Sequence, residues 1–151
     1  RVLHNAIYEA ANALKSRPES ARKIILLVSD GQVSGAGNTQ TLEKNVDVLL
    51  QGNIQVYSVA TDYALYEGPL GLLNAYAKAT GGDVFKGGSP EEMESAFPRI
   101  TEQARNQYVL GYVSTNEPRG MRGTYREINV RTRNVELKVA HRKGYVQFPA
   151  R

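Results

Sequence analysis

Two apolar strand candidates that each end in an aspartate constrain the fold of this chain more than any other feature. Residues 23–29, KIILLVS, are a nearly continuous run of Ile, Leu and Val, and Asp30 and Gly31 follow at once. Residues 54–62, IQVYSVATD, form a second such run that also ends in an acid. An uninterrupted apolar run is typical of a strand buried on both faces, as in a parallel sheet covered by helices.

Stretches with apolar residues at helical spacing alternate with these strands. They cover residues 2–15, 42–50, 70–80 and 90–107, and a short strand is predicted within 83–88. Ser89 is a suitable cap for the last helix, and Pro98 is expected to kink it or split it in two. This alternation predicts an α/β fold with a mostly parallel sheet and helices on both faces.

From Tyr108 the pattern changes to the alternation of half-buried β-strands. It runs through three segments, YVLGYVS, YREINVRTR and VELKVAHRKGY, and a turn at Arg133–Asn134 would join the last two as a hairpin. The charge changes at the same place, because residues 1–107 hold 10 Lys and Arg against 12 Asp and Glu, whereas residues 108–151 hold 9 against 3. We therefore predict an α/β unit over 1–107 and a basic, three-stranded antiparallel extension over 108–151.

The composition excludes several kinds of site. The chain has no cysteine, which excludes disulfides, thiolate metal ligands and cysteine nucleophiles. No apolar run approaches the roughly 20 residues of a membrane-spanning helix, so no membrane span is predicted. His4 and His141 lack the acid and nucleophile partners of a catalytic triad, and we expect both on a solvated or partner-facing surface.

The ordered set of motifs resembles a von Willebrand factor A (VWA) domain. The order is IILLVSDGQ, a helix, NIQVYSVATD, and then LLNAYAKATGGDVFKGGSPEEMESAFPRITEQARNQYVLGYVSTN. The closing YREINVRTRNVELKVAHRKGYV is similar to bacterial VWA-related proteins abundant in Acidobacteria. The resemblance covers essentially all 151 residues. It implies a doubly wound sheet with a divalent-cation adhesion site at the carboxyl ends of its strands, and it favours a secreted, periplasmic or cell-surface location.

The resemblance assigns one third of that adhesion site to this chain. The family uses an Asp-x-Ser-x-Ser loop, a Thr before a middle helix, and the Asp of a strand-ending Ser-Asp-Gly. Asp30 matches the third, whereas no Asp-x-Ser-x-Ser occurs and the Thr would fall at or just before residue 1. The chain thus resembles the C-terminal portion of a VWA domain whose N-terminal strands are missing. We expect it to begin inside a larger protein, or to receive the missing half from elsewhere.

The function implied by the resemblance is a non-enzymatic protein-interaction or adhesion module. In the intact protein Asp30 would ligate Mg²⁺ or Mn²⁺, directly or through water, and a carboxylate of a protein partner would fill an open coordination position. Ser29, Gly31 and Asp62 would line the rim around it. From the residues alone, Asp30 could instead accept backbone N–H groups in the following turn, and Asp62 could be a solvated loop acid.

Other features of the sequence indicate two alternative functions. An α/β hydrolase or phosphatase could use Asp30, but Gln32 stands where the second acid of an Asp-x-Asp motif belongs. A metal-independent scaffold could instead use the basic extension to bind a polyanion. Strand alternation divides these cations between two faces, so a solvated surface is favoured over nucleic-acid binding. They are Arg119, Arg122, Arg126, Arg131, Arg133, Lys138, Arg142 and Lys143.

Overall fold

A computed structural model of the chain describes residues 2–61, 69–117 and 123–149. In chain order the elements are α1 (Leu3–Lys15), β1 (Lys23–Ser29), α2 (Leu42–Gln51), β2 (Ile54–Ala60), α3 (Pro69–Thr80), β3 (Val84–Lys86), α4 (Pro90–Arg105), β4 (Thr124–Glu127) and β5 (Gly144–Gln147). The predicted alternation of helices and strands is confirmed. The fold is α/β, with a parallel sheet in the order β1-β2-β3 and an antiparallel pair β4-β5.

Strand β2 is the middle strand of the parallel sheet. It pairs with β1 along its whole length, from Lys23 opposite Ile54 to Ser29 opposite Ala60. It pairs with β3 only near its carboxyl end. Among the described residues no strand pairs with the other side of β1, which therefore forms an edge of the sheet.

Helices cover both faces of this sheet, as the apolar runs predicted. On one face α1, α2 and α3 enclose a core that contains Ile7, Ala11, Ile25, Leu49, Ile54, Val56 and Tyr76. On the other face α4 packs on β2 and β3, and this core contains Tyr57, Val59, Phe85, Ala96, Ile100 and Ala104. Burial of these apolar side chains is the dominant favourable contribution to the fold.

Side-chain caps fix the starts of two helices. The Oγ1 of Thr41 accepts the Lys44 N–H at 3.3 Å, and the Oγ of Ser89 accepts the Glu92 N–H at 3.2 Å. Helix α4 continues through Pro98, so the predicted split into two helices is wrong. Proline removes one helical hydrogen bond, but Ala96 and Ile100 on either side are both buried against the sheet and keep the helix in place.

The antiparallel pair confirms that the last two predicted strands pair, but only over Thr124–Glu127 and Gly144–Gln147, so both strands are shorter than predicted. Thr124 lies opposite Gln147 and Glu127 opposite Gly144. The chain reverses at Asn134, whose carbonyl accepts the Leu137 N–H at 3.3 Å. The turn therefore begins at one of the two residues that the sequence indicated.

The predicted third strand of the extension is wrong, because residues 108–115 form no strand. This segment lies across the side chains of the hairpin instead of along its edge. The ring of Tyr112 is 6.0 Å from that of Tyr145, and the Nε2 of Gln147 donates to the Asn116 carbonyl at 2.9 Å. Alternation favours a strand only when one of its sides is buried, and Tyr108 and Val113 are almost fully exposed.

The extension contacts the α/β unit at the end of α3. The Lys143 N–H donates to the Ala79 carbonyl at 3.1 Å, and Thr80 forms an isolated bridge with Arg142. Gly81 allows this approach, because a Cβ there would lie only 2.7 Å from the backbone nitrogen of Arg142. The boundary between residues 107 and 108 stays a prediction. None of the described helices is long and apolar enough to cross a membrane.

Candidate binding rim at the ends of strands β1 and β2

Asp30 lies directly after β1, at the carboxyl end of the parallel sheet, where open α/β folds bind ligands. Its Oδ1 accepts the Gln32 N–H at 3.1 Å, and the Oγ of Ser29 accepts the Gly31 N–H at 3.0 Å. Gly31 has a φ of 69°, a backbone conformation that glycine adopts without strain. The turn-forming role that the sequence left open for Asp30 is therefore confirmed.

The end of β2 lies level with this turn. The Thr61 N–H donates to the Ser29 carbonyl at 3.1 Å, which holds the two strand ends together. Ser29, Asp30 and Gly31 thus lie together at the carboxyl end of the sheet, and their role as a partner-binding rim stays a prediction. Asp62, the fourth residue predicted for this rim, lies outside the described residues.

Asn5 on α1 holds the rim loop, which we define as residues 31–41. Its Oδ1 accepts the Thr39 N–H at 2.9 Å and the Gln40 N–H at 3.2 Å. Its Nδ2 donates to the Gly37 carbonyl at 2.8 Å. One amide side chain therefore fixes the far end of the loop that begins beside Asp30. No local motif marks Asn5, because its partners lie more than thirty residues away in the sequence.

A polar network on the α1–α3 side of the sheet joins these three helices. The Nδ1 of His4 is 2.6 Å from the hydroxyl of Tyr76. The Nδ2 of Asn45 donates to the same hydroxyl at 2.9 Å and to the His4 carbonyl at 2.7 Å. The hydroxyl of Tyr76 can donate to His4 while it accepts from Asn45, in the tautomer whose Nδ1 is the acceptor.

The burial of this network corrects the expectation for His4, and it identifies Asn45 and Tyr76 as polar residues that the sequence did not indicate. Burial raises the pKa of Tyr76 to about 12, so its hydroxyl stays protonated at neutral pH. His4 is wrongly predicted as a solvated or partner-facing residue, because it is half-buried and bonded to a buried phenol. The helical spacing contained the signal, since His4, Ile7 and Ala11 lie on one face of α1 and the latter two are core residues.

The described residues do not complete the divalent-cation site that the resemblance implies. Mg²⁺ takes six ligands in a near-octahedral arrangement, most of them carboxylates and waters. The described part of the rim offers one carboxylate, Asp30, beside the hydroxyl of Ser29. Across residues 2–61, 69–117 and 123–149, no three His, Asp or Glu side chains lie close enough together to hold a metal ion. A complete site would need further ligands from other segments.

The basic residues predicted as a polyanion surface divide into two groups. The Nε of Arg126 donates to the Gln147 Oε1 at 2.9 Å, and the Nη1 of Arg142 donates to the Asn53 Oδ1 at 3.2 Å. These two guanidinium groups hold the extension together and attach it to the α/β unit. Arg131 and Lys143 are exposed and available to a partner.

Comparisons with known proteins give one partial relative. No protein-family model matches the chain. The chain is similar to the uncharacterized protein YwmC of Bacillus subtilis (strain 168), with 32% identity over 92 residues. The matched stretch is 61% of this chain and 38% of that protein, so the chain spans well under half of the relative's length.

Proposed function

We propose that this chain is part of a doubly wound VWA-type domain that acts as a non-enzymatic protein-interaction module. Its protein partner binds at the rim formed by Ser29, Asp30 and Gly31. The observation that carries the proposal is the side of β1 next to Asp30, on which none of the described strands pairs. The resemblance would place the central strand of the domain in this position.

The exposure of two apolar side chains of β1 supports the proposal that the sheet continues beyond β1. Leu26 and Val28 are 40% and 47% exposed. They lie opposite Tyr57 and Val59 in the strand register, hence on the α4 side of the sheet. A strand of this composition is typical of the buried interior of a parallel sheet, and an uncovered apolar edge favours pairing with another chain segment. The missing half of the domain would cover both the edge and these side chains.

The organisation of the rim supports partner binding. Asn5 and the turn at Gly31 fix both ends of the rim loop. A loop that is ordered before binding loses little conformational entropy when a partner docks. In the intact protein Asp30 would supply one ligand to Mg²⁺ or Mn²⁺, with the remaining ligands contributed by segments outside the described residues. The resemblance alone supports a secreted, periplasmic or cell-surface location.

Calorimetric titration of Mg²⁺ tests the role of Asp30. The titration is made into the longest natural polypeptide that carries this chain, with Asp30→Ala and Asp47→Ala as matched variants. Asp47 is an exposed acid on α2, away from the ends of the strands. We expect binding that Asp30→Ala abolishes and Asp47→Ala preserves. Metal binding that survives Asp30→Ala contradicts the assignment, and phosphatase turnover that depends on Asp30 contradicts the non-enzymatic function.

A further inference from the structure

The hairpin formed by β4 and β5 ends in an exposed tip, which we define as residues 131–140. All ten of its side chains are exposed. Its turn is nevertheless well defined by hydrogen bonds. The Glu136 N–H donates to the Asn134 Oδ1 at 3.0 Å, and the Thr132 hydroxyl donates to the Asn134 carbonyl at 2.7 Å. The tip is therefore a turn with defined hydrogen bonds whose side chains are all exposed among the described residues.

The register of the hairpin, extended toward its tip, places the cations of the tip on one face and most of the apolar side chains on the other. The pairing of Glu127 with Gly144 continues through a bond from the Ile128 N–H to the Lys143 carbonyl, at 2.8 Å. Residues directly opposite one another share a face of the hairpin. Residues 128–141 are not assigned to a strand. If the same register is extended to the turn at Asn134, the apolar side chains Ile128, Val130, Leu137 and Val139 fall on one face together with His141 and Lys143, and Arg131, Arg133 and Lys138 fall on the other.

This distribution favours one class of partner. Val135 at the turn is 93% exposed and Leu137 is 60% exposed, so the tip presents aliphatic surface to water. It also carries three cations against one acid, Glu136. A nucleic-acid surface would be expected to offer aromatic side chains for stacking, and residues 131–140 contain none. Aliphatic groups beside an excess of cations match the apolar interior and anionic headgroups of a lipid surface.

We propose that the hairpin tip docks on a membrane surface rich in anionic lipid. Val135, Leu137 and Val139 enter the boundary between headgroups and acyl chains. Arg131, Arg133 and Lys138 contact the phosphates. The tip thereby holds the protein on the lipid surface. This attachment does not depend on the rim at Asp30, so either proposal can fail without the other.

Sedimentation with lipid vesicles tests the proposal on the full chain. Vesicles of equal parts phosphatidylglycerol and phosphatidylcholine are compared with vesicles of phosphatidylcholine alone. We expect binding to the anionic vesicles only, weakened as NaCl is raised to about 0.5 M because salt screens the cations. A charge variant combines Arg131→Gln, Arg133→Gln and Lys138→Gln. It should bind the anionic vesicles about a hundredfold more weakly, since each of the three cations near the surface contributes about a factor of five.

Two further variants distinguish binding through the tip from binding that depends only on net charge. An apolar variant, with Val135, Leu137 and Val139 changed to Ser, should bind about tenfold or more weakly. A control variant, with the exposed helical residues Lys15, Lys44 and Lys78 changed to Gln, loses the same charge and should bind like the natural chain. All substituted side chains are exposed, and circular dichroism checks that each variant folds.

Three outcomes would overturn the proposal. The first is no binding to the anionic vesicles. The second is a control variant weakened as much as the charge variant, because binding would then follow net charge and not the tip. The third is an apolar variant that binds normally while a single-stranded oligonucleotide competes with the vesicles, which would make the tip a surface for soluble polyanions.

Discussion

Val28 and Val59 lie opposite each other in neighbouring strands and point to the same face of the sheet, yet Val28 is 47% exposed and Val59 is 0% exposed. The difference arises because α4 packs on Val59, whereas no described helix covers β1 at Val28, although Ile24 at the start of β1 does pack against the α4-side core. The same residue type in the same register thus experiences two environments. The exposed fraction of Val28 relative to that of Val59 therefore measures how far the sheet is covered at β1.

The first prediction uses this pair. In the chain alone, Val59→Ala should lower the free energy of unfolding by about 2 kcal/mol, because it leaves a cavity in a packed core. Val28→Ala should lower it by about 0.5 kcal/mol or less, as at exposed positions generally. Urea denaturation measures both. In a longer polypeptide that supplies the proposed missing half, Val28→Ala should become as costly as Val59→Ala, and a cost that stays small there would contradict a strand added beside β1.

The second prediction concerns the buried hydroxyl of Tyr76. Tyr76→Phe leaves the Nδ1 of His4 and one bond of the Asn45 amide without their partner, at a cost of about 1–3 kcal/mol in unfolding free energy. Tyr8→Phe is the matched control on α1, because the Tyr8 hydroxyl has no part in this network. Equal stability of the two variants in urea would show that the network contributes nothing.

The third prediction follows from the raised pKa of Tyr76, which is about 12 in the fold against an ordinary value of 10.0. Between these two pH values the folded state keeps the phenolic proton and the unfolded state loses it. Stability from this group is therefore complete below pH 10 and falls as pH rises toward about 12, by about 2 kcal/mol in total. Denaturation curves of the natural chain and Tyr76→Phe should converge over that range, and parallel curves would contradict the raised pKa.

Features that depend on neighbouring residues could be predicted from the sequence. Continuous apolar runs located β1 and β2, and the cap at Ser89 located the start of α4. The position of Asp30 at a strand end followed from the same reasoning. Each of these depends on residues within a few positions, so no knowledge of distant contacts was needed.

Features that depend on distant contacts could not be predicted in this way. The alternation in residues 108–114 indicates a strand, but pairing also requires a free edge and a buried side, and the sequence specifies neither. Asn5 forms its bonds with residues 32 to 35 positions away, and His4 meets Tyr76 across 72 positions. In a single sequence Asn5 looks like an ordinary helical position, and the helical spacing that places His4 on the core face does not identify Tyr76 as its partner. The rim could therefore be located, although the side chains that hold it could not be identified.

The last prediction tests whether Asn5 controls the order of the rim loop. Asn5→Ala removes the acceptor for the Thr39 and Gln40 N–H groups. Both amides should therefore exchange with deuterium about fivefold faster, in proportion to the loss of about 1 kcal/mol per bond. Global stability should fall by a similar small amount, because the loop is exposed.

Asn74→Ala, at a half-buried position on α3, serves as the control and should leave exchange in the rim loop unchanged. Hydrogen exchange followed by mass spectrometry resolves the loop peptide. Unchanged protection of Thr39 and Gln40 in Asn5→Ala would mean that the loop is held by its own turn residues and not by α1.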